Sequence, residues 1–230
     1  MVDNYKDEGR KMGVKNILLK SDVFYFVYNT FSSNRKKIIG RNNTIIKNKV
    51  MLSNVKISIS GNNNKVSISK GTRLANCEIT IYGNGHELLI SDDCRLKNTE
   101  FWFEDSECSI QIGKNTTIEG AHIAAAESQS FVKIGADCMF SKGINISTTD
   151  SHSIIDIESG DRINKAGNID IGNHVWLGAY SKILKGVNIL DNSVVGIGSV
   201  VTGDVPSNSV AAGVPAKVVR KNVNWLRERI

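Results

Sequence analysis

Proline is almost absent from this sequence: only two of its 230 residues are prolines, and both lie near the C-terminus. Turns must therefore come from other residues, and twenty glycines together with many asparagines can supply them. Long apolar runs are missing too, since the longest, from Val23 to Tyr28, is far too short to span a bilayer. We therefore expect no transmembrane segment.

Paired metal-binding or redox cysteines are also missing. The four cysteines, Cys77, Cys94, Cys108 and Cys138, form no C-x-x-C pair, and no secretory signal opens the chain. Two of them, Cys94 and Cys138, stand where the sequence pattern otherwise has small residues. The pattern therefore predicts reduced, mostly structural thiols in a cytoplasmic protein.

Two residue clusters suggest common enzyme motifs, a serine-hydrolase triad and a dinucleotide-binding glycine loop, but both motifs are incomplete. Ser151 adjoins His152, with Asp150 and Asp156 nearby, but adjacent side chains rarely point at one another and no G-x-S-x-G elbow is present. No helical pattern follows Gly196-Ile197-Gly198. A serine hydrolase and a dinucleotide-binding domain are therefore both disfavoured.

The composition is that of an ordinary soluble domain with a basic surface. Apolar residues make up 40% of the chain and charged residues 23%, and the length suits one domain with a sizeable core. The net charge of +6 favours anionic partners such as phosphates, an acidic glycan or nucleic acid. A generally basic, solvated surface is the alternative explanation.

A six-residue repeat runs from Ile38 to Val205 and is clearest near its end, where LGAYSK, ILKGVN, ILDNSV and VGIGSV follow without a gap. Each unit begins with an aliphatic residue, and the short apolar stretches between Gly, Asn and Asp favour strands over helices. Three units would make an 18-residue triangular coil, with Ile171 stacked inside on Ile189. The pattern therefore predicts an all-β solenoid.

The segments outside the repeat predict a cap and a tail. We divide the chain into an N-terminal segment or cap (1–37), a solenoid domain (38–220) with an inserted loop at 147–168, and a C-terminal tail (221–230). Residues 14–33 suit a short helix that covers the first coil, with a strand at 23–27 as the alternative. A membrane-interfacial amphipathic helix is the functional alternative for this segment. The tail is expected to form a short helix, with Trp225 packed over the final coil.

The repeat resembles the hexapeptide signature of the left-handed parallel β-helix acyltransferases. The run from IGNHVWLGAYSKILKG to VPAKVVR is similar to galactoside, maltose and xenobiotic O-acetyltransferases. The loop TDSHSI, whose histidine lies 24 residues before Trp176, resembles more closely the enzymes that acetylate bacterial surface glycans, such as polysialic acid O-acetyltransferases. The resemblance implies left-handed coils, a homotrimer with sites between subunits, and acetyl-coenzyme A as cosubstrate without a metal.

The resemblance also implies roles for single residues. His152 matches the family's base, and Trp176 matches the tryptophan that lines the acetyl and acceptor pocket. Cofactor-binding positions match as follows: Ala179, Ile197 and Thr202 for coenzyme A, Lys217 and Arg220 for its phosphates and adenine. Gly178 joins this set because its small size would leave room for the pantetheine arm.

Two departures from the family pattern bear on the ligands. Gly203 stands where sugar acetyltransferases often have a lysine, so a phosphate contact there is not expected. Residues 122–130 read HIAAAESQS in place of the acidic and amide acceptor-binding residues of the galactoside and maltose enzymes. Glu127 and His122 are therefore the candidates for shaping a different acceptor pocket.

Acetyl transfer from a thioester to a hydroxyl needs a base, and histidine suits that task near neutral pH. A carbonyl or a carboxylate, from Asp150 or Asp156, is expected to orient the His152 ring. Tryptophan offers a flat apolar wall with one N–H donor. A backbone N–H near Gly178 is a candidate donor to the developing oxyanion.

These observations predict an O-acetyltransferase that acts on a hydroxyl of a sugar or of a capsular or lipopolysaccharide glycan, without a nucleic-acid partner. Three alternatives stay open: an N-acetyltransferase of an amino sugar or nucleotide sugar, a non-catalytic glycan-binding solenoid, and a zinc hydratase. The hydratase would need three convergent histidines, and His122, His152 and His174 are available. His174 is otherwise expected to be a structural turn residue, and His86 an exposed one.

Overall fold

The computed structural model describes residues 21–230, whose strands wind into a parallel solenoid with three sheets. Among these residues sheet A has eight strands, sheet B seven and sheet C nine. Apart from the last two strands, which form an antiparallel hairpin in sheet C, the chain visits A, B and C in turn, so strands that neighbour each other in a sheet lie one circuit apart. The predicted β-solenoid is confirmed.

The elements are numbered in chain order. Helix α1 spans Asp22–Thr30. Sheet A contains β1 (Arg35–Ile39), β4 (Lys56–Ser60), β7 (Glu78–Tyr82), β10 (Thr99–Phe103), β13 (Ala121–Ala125), β16 (Ile144–Ser147), β19 (Lys182–Ile183) and β22 (Val200–Val201). Sheet B contains β2 (Thr44–Lys47), β5 (Lys65–Ile68), β8 (Glu87–Ile90), β11 (Ser109–Ile112), β14 (Phe131–Ile134), β17 (Ile169–Ile171) and β20 (Asn188–Ile189). Sheet C contains β3 (Met51–Ser53), β6 (Arg73–Ala75), β9 (Arg95–Lys97), β12 (Thr117–Ile118), β15 (Met139–Phe140), β18 (Trp176–Leu177), β21 (Val194–Val195), β23 (Ser209–Gly213) and β24 (Ala216–Lys221).

The length of a coil changes along the chain. In the N-terminal half, successive coils advance by 21 or 22 residues, because strands of three to five residues alternate with Asn- and Gly-rich turns. The predicted 18-residue coil is found only at the C-terminal end, where the strands shrink to two residues. There Ile171 stacks on Ile189, and Leu177 on Val195, as predicted. The 18-residue period is therefore wrong for the first half of the solenoid.

The core is one continuous column of inward-facing aliphatic and aromatic side chains, and all four cysteines lie in it as free, buried thiols. Burial raises the pKa of Cys77 and Cys94 to about 11 and that of Cys138 to about 12. Such thiols remain protonated near neutral pH and are poor nucleophiles. The prediction of structural thiols is thus supported for the described coils.

His86 corrects the prediction of an exposed turn residue, because its side chain is fully buried. Its Nδ1 accepts the backbone N–H of Cys108 at 3.1 Å, and its Nε2 lies 3.1 Å from the carbonyl oxygen of Tyr82. Burial lowers the pKa of the imidazole, which favours the neutral form. His86 therefore satisfies turn backbone groups inside the coil.

Asparagine turns take the place of the missing prolines. Asn54, Asn76 and Asn98 adopt left-handed backbone angles, with φ values of 52°, 53° and 47°. Their side chains stack from coil to coil: the Nδ2 of Asn54 donates to Oδ1 of Asn76 at 3.0 Å, and Asn76 donates to Asn98 at 3.3 Å. Asparagine suits these positions because it tolerates this conformation and hydrogen-bonds locally.

Helix α1 covers the first coil at its edge. The Nδ2 of Asn29 donates to the carbonyl of Val50 at 3.0 Å, and its Oδ1 accepts the N–H of Leu52 at 2.8 Å. The helix predicted in this segment is confirmed from Asp22 to Thr30, so the strand alternative at 23–27 is wrong; the rest of that prediction, 14–20, lies outside the described residues. Within 21–230, no helix is long and apolar enough to cross a membrane.

The C-terminal tail is not helical, contrary to the prediction. Strand β24 turns back antiparallel to β23, and the following residues return across the outside of sheet C. Trp225 is 5% exposed; its ring stacks on His174 at 4.1 Å, and its indole N–H donates to the His174 carbonyl at 2.8 Å. The Arg227 guanidinium reaches Asp137 at 3.0 Å. These tertiary contacts provide hydrogen-bond partners for polar groups of the tail. A very short helix would offer few internal hydrogen bonds in their place.

Candidate functional site

A loop of residues 148–168 leaves the solenoid at the corner between sheets A and B. It narrows into a hairpin in which the N–H of Ile163 donates to the carbonyl of Ile154 at 2.9 Å. At its tip, the Asp156 carboxylate accepts backbone N–H groups of the turn. The stacking of coils continues beneath the loop, since Asn145 pairs with Lys182. The loop is therefore an addition to a rigid scaffold.

Asn164, 7% exposed, fixes the base of the loop. Its Nδ2 donates to the carbonyl of His152 at 2.8 Å and to the Asp150 carboxylate at 2.9 Å. Its Oδ1 accepts the N–H of Ile154 at 2.7 Å. The N–H of His152 itself donates to the carbonyl of Asp150 at 2.8 Å. The backbone on both sides of His152 is thus held in place.

Two ion pairs brace this arrangement. Arg162 grips Glu127 with two hydrogen bonds of 2.8 and 2.6 Å, and Thr149 donates to the same carboxylate. Lys185, from the coil that follows the loop, reaches Asp150 at 2.5 Å. The Arg162 hydrogen bond lowers the pKa of Glu127, and the Lys185 hydrogen bond lowers that of Asp150. Both carboxylates therefore stay ionised near neutral pH.

Glu127 was predicted to shape the acceptor pocket, but the structure places it among the loop's supports. Its two oxygens are occupied by Arg162, Thr149 and the N–H of Ala166. A paired, half-buried carboxylate of this kind is costly to separate from its partner. In the described chain its contacts hold the loop, and its contribution to an acceptor pocket stays a prediction.

His152 lies exposed at this corner. Neither ring nitrogen has a hydrogen-bond partner among residues 21–230. The expectation that Asp150 or Asp156 orients the ring is wrong for a single chain, because both carboxylates are engaged elsewhere. The structure thus presents an accessible imidazole on an immobilised backbone.

Trp176 lies on the outside of sheet C, 37% exposed, with its ring 6.0 Å from that of Trp225. It borders a groove of about 620 Å³ that also includes Val194, Val210 and Arg220. No residue of the loop lines this groove. In a three-sided coil the corner between sheets A and B lies opposite sheet C. One chain therefore does not bring His152 and Trp176 into a common pocket.

Gly178, Ala179 and Ile197 lie together at the corner between sheets C and A, where the N–H of Gly198 donates to the Ala179 carbonyl at 2.8 Å. A Cβ at Gly178 would lie 2.7 Å from the nitrogen of Ile197. The next coil therefore fills the space beside this Cα, and the coenzyme A contact expected at Gly178 stays a prediction. Ile197 itself is 75% exposed beside this corner.

Lys217 and Arg220 share one side of β24, although they are three residues apart. A β-bulge lets Arg220 pair with Val210 and Lys217 with Ala212 in the neighbouring strand. Paired residues of adjacent strands point to the same face. Both cations therefore face outward on sheet C, the side that carries Trp176. Thr202, by contrast, follows β22 at the corner between sheets A and B.

The remaining histidines are separated and engaged. His122 projects from sheet A, with its Nδ1 2.8 Å from Glu100. His174 is a turn residue, as expected, and its two nitrogens contact Asp137 at 2.7 Å and the carbonyl of Trp225 at 3.0 Å. Within 21–230 no three His, Cys, Asp or Glu residues are grouped so as to hold a metal. The three histidines of the hydratase alternative do not converge in one chain.

The supports of the loop are the functional residues that sequence reasoning missed. Asn164, Arg162 and Lys185 lie outside any recognisable motif, and their partners are 10 to 35 residues away in the chain. The one available signal was the concentration of charged and amide residues in an insertion between repeat units. That signal predicts a polar loop, but it does not predict which side chains form hydrogen bonds or ion pairs with one another.

Comparison with curated proteins finds relatives over part of the chain, and no protein-family model matches it. The chain is 40% identical over 116 residues to the polysialic acid O-acetyltransferase of Escherichia coli O1:K1 / APEC, covering 50% of this chain and 38% of that protein. It is 40% identical over 124 residues to the Neisseria meningitidis protein of the same name, covering 54% and 57%. The matched segments thus span less than two thirds of either relative.

Two solved structures match almost throughout. The polySia-specific acetyltransferase NeuO is 32% identical with a TM-score of 0.81, over 85% of this chain and 90% of that one. The polysialic acid O-acetyltransferase OatWY is 38% identical with a TM-score of 0.81, over 86% and 92%. The likeness confirms the predicted left-handed parallel β-helix.

Proposed function

The chain belongs to the hexapeptide-repeat left-handed β-helix acetyltransferases, and we propose that it transfers an acetyl group from acetyl-coenzyme A to a hydroxyl of a sugar or bacterial surface glycan. The observation that carries the proposal is His152, whose exposed imidazole stands on a backbone fixed by Asn164. The names of the relatives support a glycan acceptor, and we propose that this acceptor is a capsular or lipopolysaccharide glycan.

The chemistry assigned to His152 is general-base catalysis. As the acceptor oxygen attacks the thioester carbonyl, the neutral imidazole takes the hydroxyl proton, and it returns that proton to the departing thiolate. The donor supplies the activated thioester carbon. The ring must be free to accept a hydrogen bond, and its nitrogens have no competing partner among residues 21–230.

The candidate residues fall into two groups on opposite sides of the coil. His152 and Thr202 lie at the corner between sheets A and B, whereas Trp176, Lys217 and Arg220 face outward on sheet C. A closed symmetric oligomer can bring one subunit's corner against the next subunit's sheet. We therefore propose a homotrimer in which each site joins His152 of one subunit to Trp176 of another.

The function is tested by incubating the protein with acetyl-coenzyme A and a panel of acceptors while measuring thiol release. The panel contains neutral sugars, amino sugars, nucleotide sugars and polysialic acid, so it also separates O- from N-acetylation. We expect acceptor-dependent thiol release with a product ester that mild base hydrolyses. A base-stable amide product would favour the amino-sugar alternative, and no release with any acceptor would favour a binding solenoid.

Replacing Lys217 and Arg220 together by alanine should raise the KM for acetyl-coenzyme A by about tenfold or more, because two charge-assisted contacts to phosphate would be lost. The acceptor KM should stay unchanged. The matched control is Arg41→Ala with Lys47→Ala, two exposed cations at the opposite end of the solenoid. An unchanged donor KM in the first variant, or an equal rise in the control, would refute the assignment.

A further inference from the structure

The charge of the chain is divided unevenly along the solenoid. Residues 23–77, which form most of α1 and the first two coils, contain ten lysines and arginines and no acidic residue. Residues 78–230 contain fourteen lysines and arginines and nineteen acidic residues, so the rest of the solenoid has a net negative charge. A protein whose overall net charge is only +6 therefore has one strongly basic end.

The cations of the first coil are the ones that lack acidic partners. In the second coil, Lys56, Lys65 and Lys70 each approach an acidic residue of the third coil, at distances of 2.8 to 3.7 Å. Five cations of the first coil, by contrast, are exposed and make no ion pair with a residue of 21–230. They are Arg35, Lys36, Lys37, Arg41 and Lys47.

Two of these lysines occupy positions that belong to the core in the next coil. Lys36 pairs with Ile57 of β4, and Lys47 pairs with Ile68 of β5, and both isoleucines are buried. The solenoid therefore ends in cations where a further coil would need aliphatic side chains. A second copy stacked end to end on this surface would place cations against cations, which opposes self-association.

Helix α1 adds an apolar surface at the same end. Asn29 faces β3, because its side chain bonds the backbone of that edge of the first coil. The residues turned away from the coil are apolar: Val23 is 70% exposed, Phe26 is 72% exposed and Phe31, just after the helix, is 83% exposed. A surface helix normally turns polar residues toward water, so this face lacks the partner that its composition requires.

Exposed apolar side chains next to unpaired cations fit one kind of partner. A bilayer with anionic lipids attracts cations to its headgroups and accepts apolar side chains at the boundary between headgroups and acyl chains. A nucleic acid would attract the same cations, but it offers no apolar layer for Val23 and Phe26. The two features together therefore favour a lipid surface.

We propose that this end of the solenoid, formed by α1 and the first coil (35–53) and here called the basic tip, binds the surface of an anionic bilayer. The lysines and arginines contact the lipid headgroups, while Val23 and Phe26 enter the interface. The inference goes beyond the proposed function and does not depend on it, because no step of acetyl transfer enters the argument.

The test is co-sedimentation of the full-length protein with vesicles of phosphatidylcholine, either alone or mixed with phosphatidylglycerol. We expect binding only to the vesicles that contain phosphatidylglycerol, and weaker binding as salt is added, because salt screens the attraction. The variant Lys36→Gln/Lys37→Gln/Lys47→Gln should bind these vesicles about 10²-fold more weakly, since each cation near the surface contributes about fivefold in affinity.

A second variant tests the apolar face of α1. Val23→Gln/Phe26→Gln keeps good helix formers in the helix and should bind the anionic vesicles about tenfold more weakly. The matched charge control is Lys114→Gln/Lys142→Gln/Lys182→Gln, which removes three exposed lysines from later coils and should bind like wild type. All three variants should keep the wild-type melting temperature, because every changed side chain is exposed.

Three results would overturn the proposal directly: no binding to anionic vesicles, equal binding to neutral vesicles, or an equal loss in the charge control. An assembly that forms without lipid and that Val23→Gln/Phe26→Gln dissociates in light scattering would assign the apolar face to a contact between copies instead. Binding of single-stranded DNA that is as strong as vesicle binding and unchanged in the same variant would assign the cations to nucleic acid. Acetyl transfer is measured in none of these experiments, so their outcome is separate from that of the proposed function.

Discussion

Replacing His152 by alanine should lower kcat by about 10²–10⁴-fold, the range that a positioned general base contributes. The pH profiles of wild type and variant should differ, because only the wild type has an imidazole that can accept the hydroxyl proton. The affinity for coenzyme A should change little, since the imidazole meets only the reacting end of the donor. Pre-steady-state thiol release and a full pH profile measure both effects.

The control for this experiment is Ser153→Ala, an exposed neighbour in the same loop that should retain activity. Melting temperatures of both variants should match wild type, because neither side chain packs in the core. A His152→Ala enzyme whose kcat stays within about threefold of wild type, below the low end of the expected range, would remove the base from the mechanism.

Replacing Asn164 by alanine should lower kcat by about 10²-fold without removing any group that meets substrate. Its amide holds the carbonyl of His152 and the carboxylate of Asp150, so the variant frees the backbone that carries the imidazole. A displacement of about 1 Å at a reacting group is sufficient for such a loss. Asn164 is therefore a positioning residue, and the measurement is kcat together with the pH profile.

The shape of the pH profile should be the same in Asn164→Ala as in the wild type, because His152 is still present. The KM for acetyl-coenzyme A should also persist, because the Asn164 amide bonds Ile154, Asp150 and His152 within the loop and is not one of the proposed phosphate contacts. Asn48→Ala, an exposed asparagine at the far end, serves as control. A wild-type kcat in Asn164→Ala, or a loss of kcat that merely follows global unfolding, would contradict a positioning role.

The fold could be predicted from the sequence because each six-residue unit begins with an aliphatic residue that faces the core, and this pattern is visible over a short stretch of chain. Ile171 and Ile189 lie in register at 18 residues, and that spacing is readable from the letters alone. The coils of 21 or 22 residues in the first half escaped prediction because longer strands and polar turns blur the six-residue period. Tertiary contacts also determine the conformation of the C-terminal tail. The tail is not helical, because Trp225 stacks on His174, which lies 51 residues away in the chain.

The candidate site was predictable only in part. The resemblance supplied His152 and Trp176, but their separation on opposite sides of the coil follows from which strands flank them. Glu127 was singled out as an acceptor residue because its sequence neighbourhood is unusual, whereas its partner Arg162 lies 35 residues away. Side-chain pairs that far apart in the chain leave no periodic pattern in the sequence. The residues that support the loop could therefore be identified only from the structure.

The most direct test of the account is a mixed oligomer made from His152→Ala and Trp176→Ala chains. Each variant by itself is expected to lose most of its turnover, the first for want of the base and the second for want of the proposed pocket wall. If each site takes His152 from one subunit and Trp176 from its neighbour, a site is complete only when the first subunit carries the Trp176→Ala change and the second carries the His152→Ala change. Random mixing of equal amounts therefore gives about one complete site in four. We therefore predict about a quarter of the wild-type rate after the two variants are unfolded, mixed and refolded together. Activity no higher than the mean of the two separate variants would contradict a site shared between subunits.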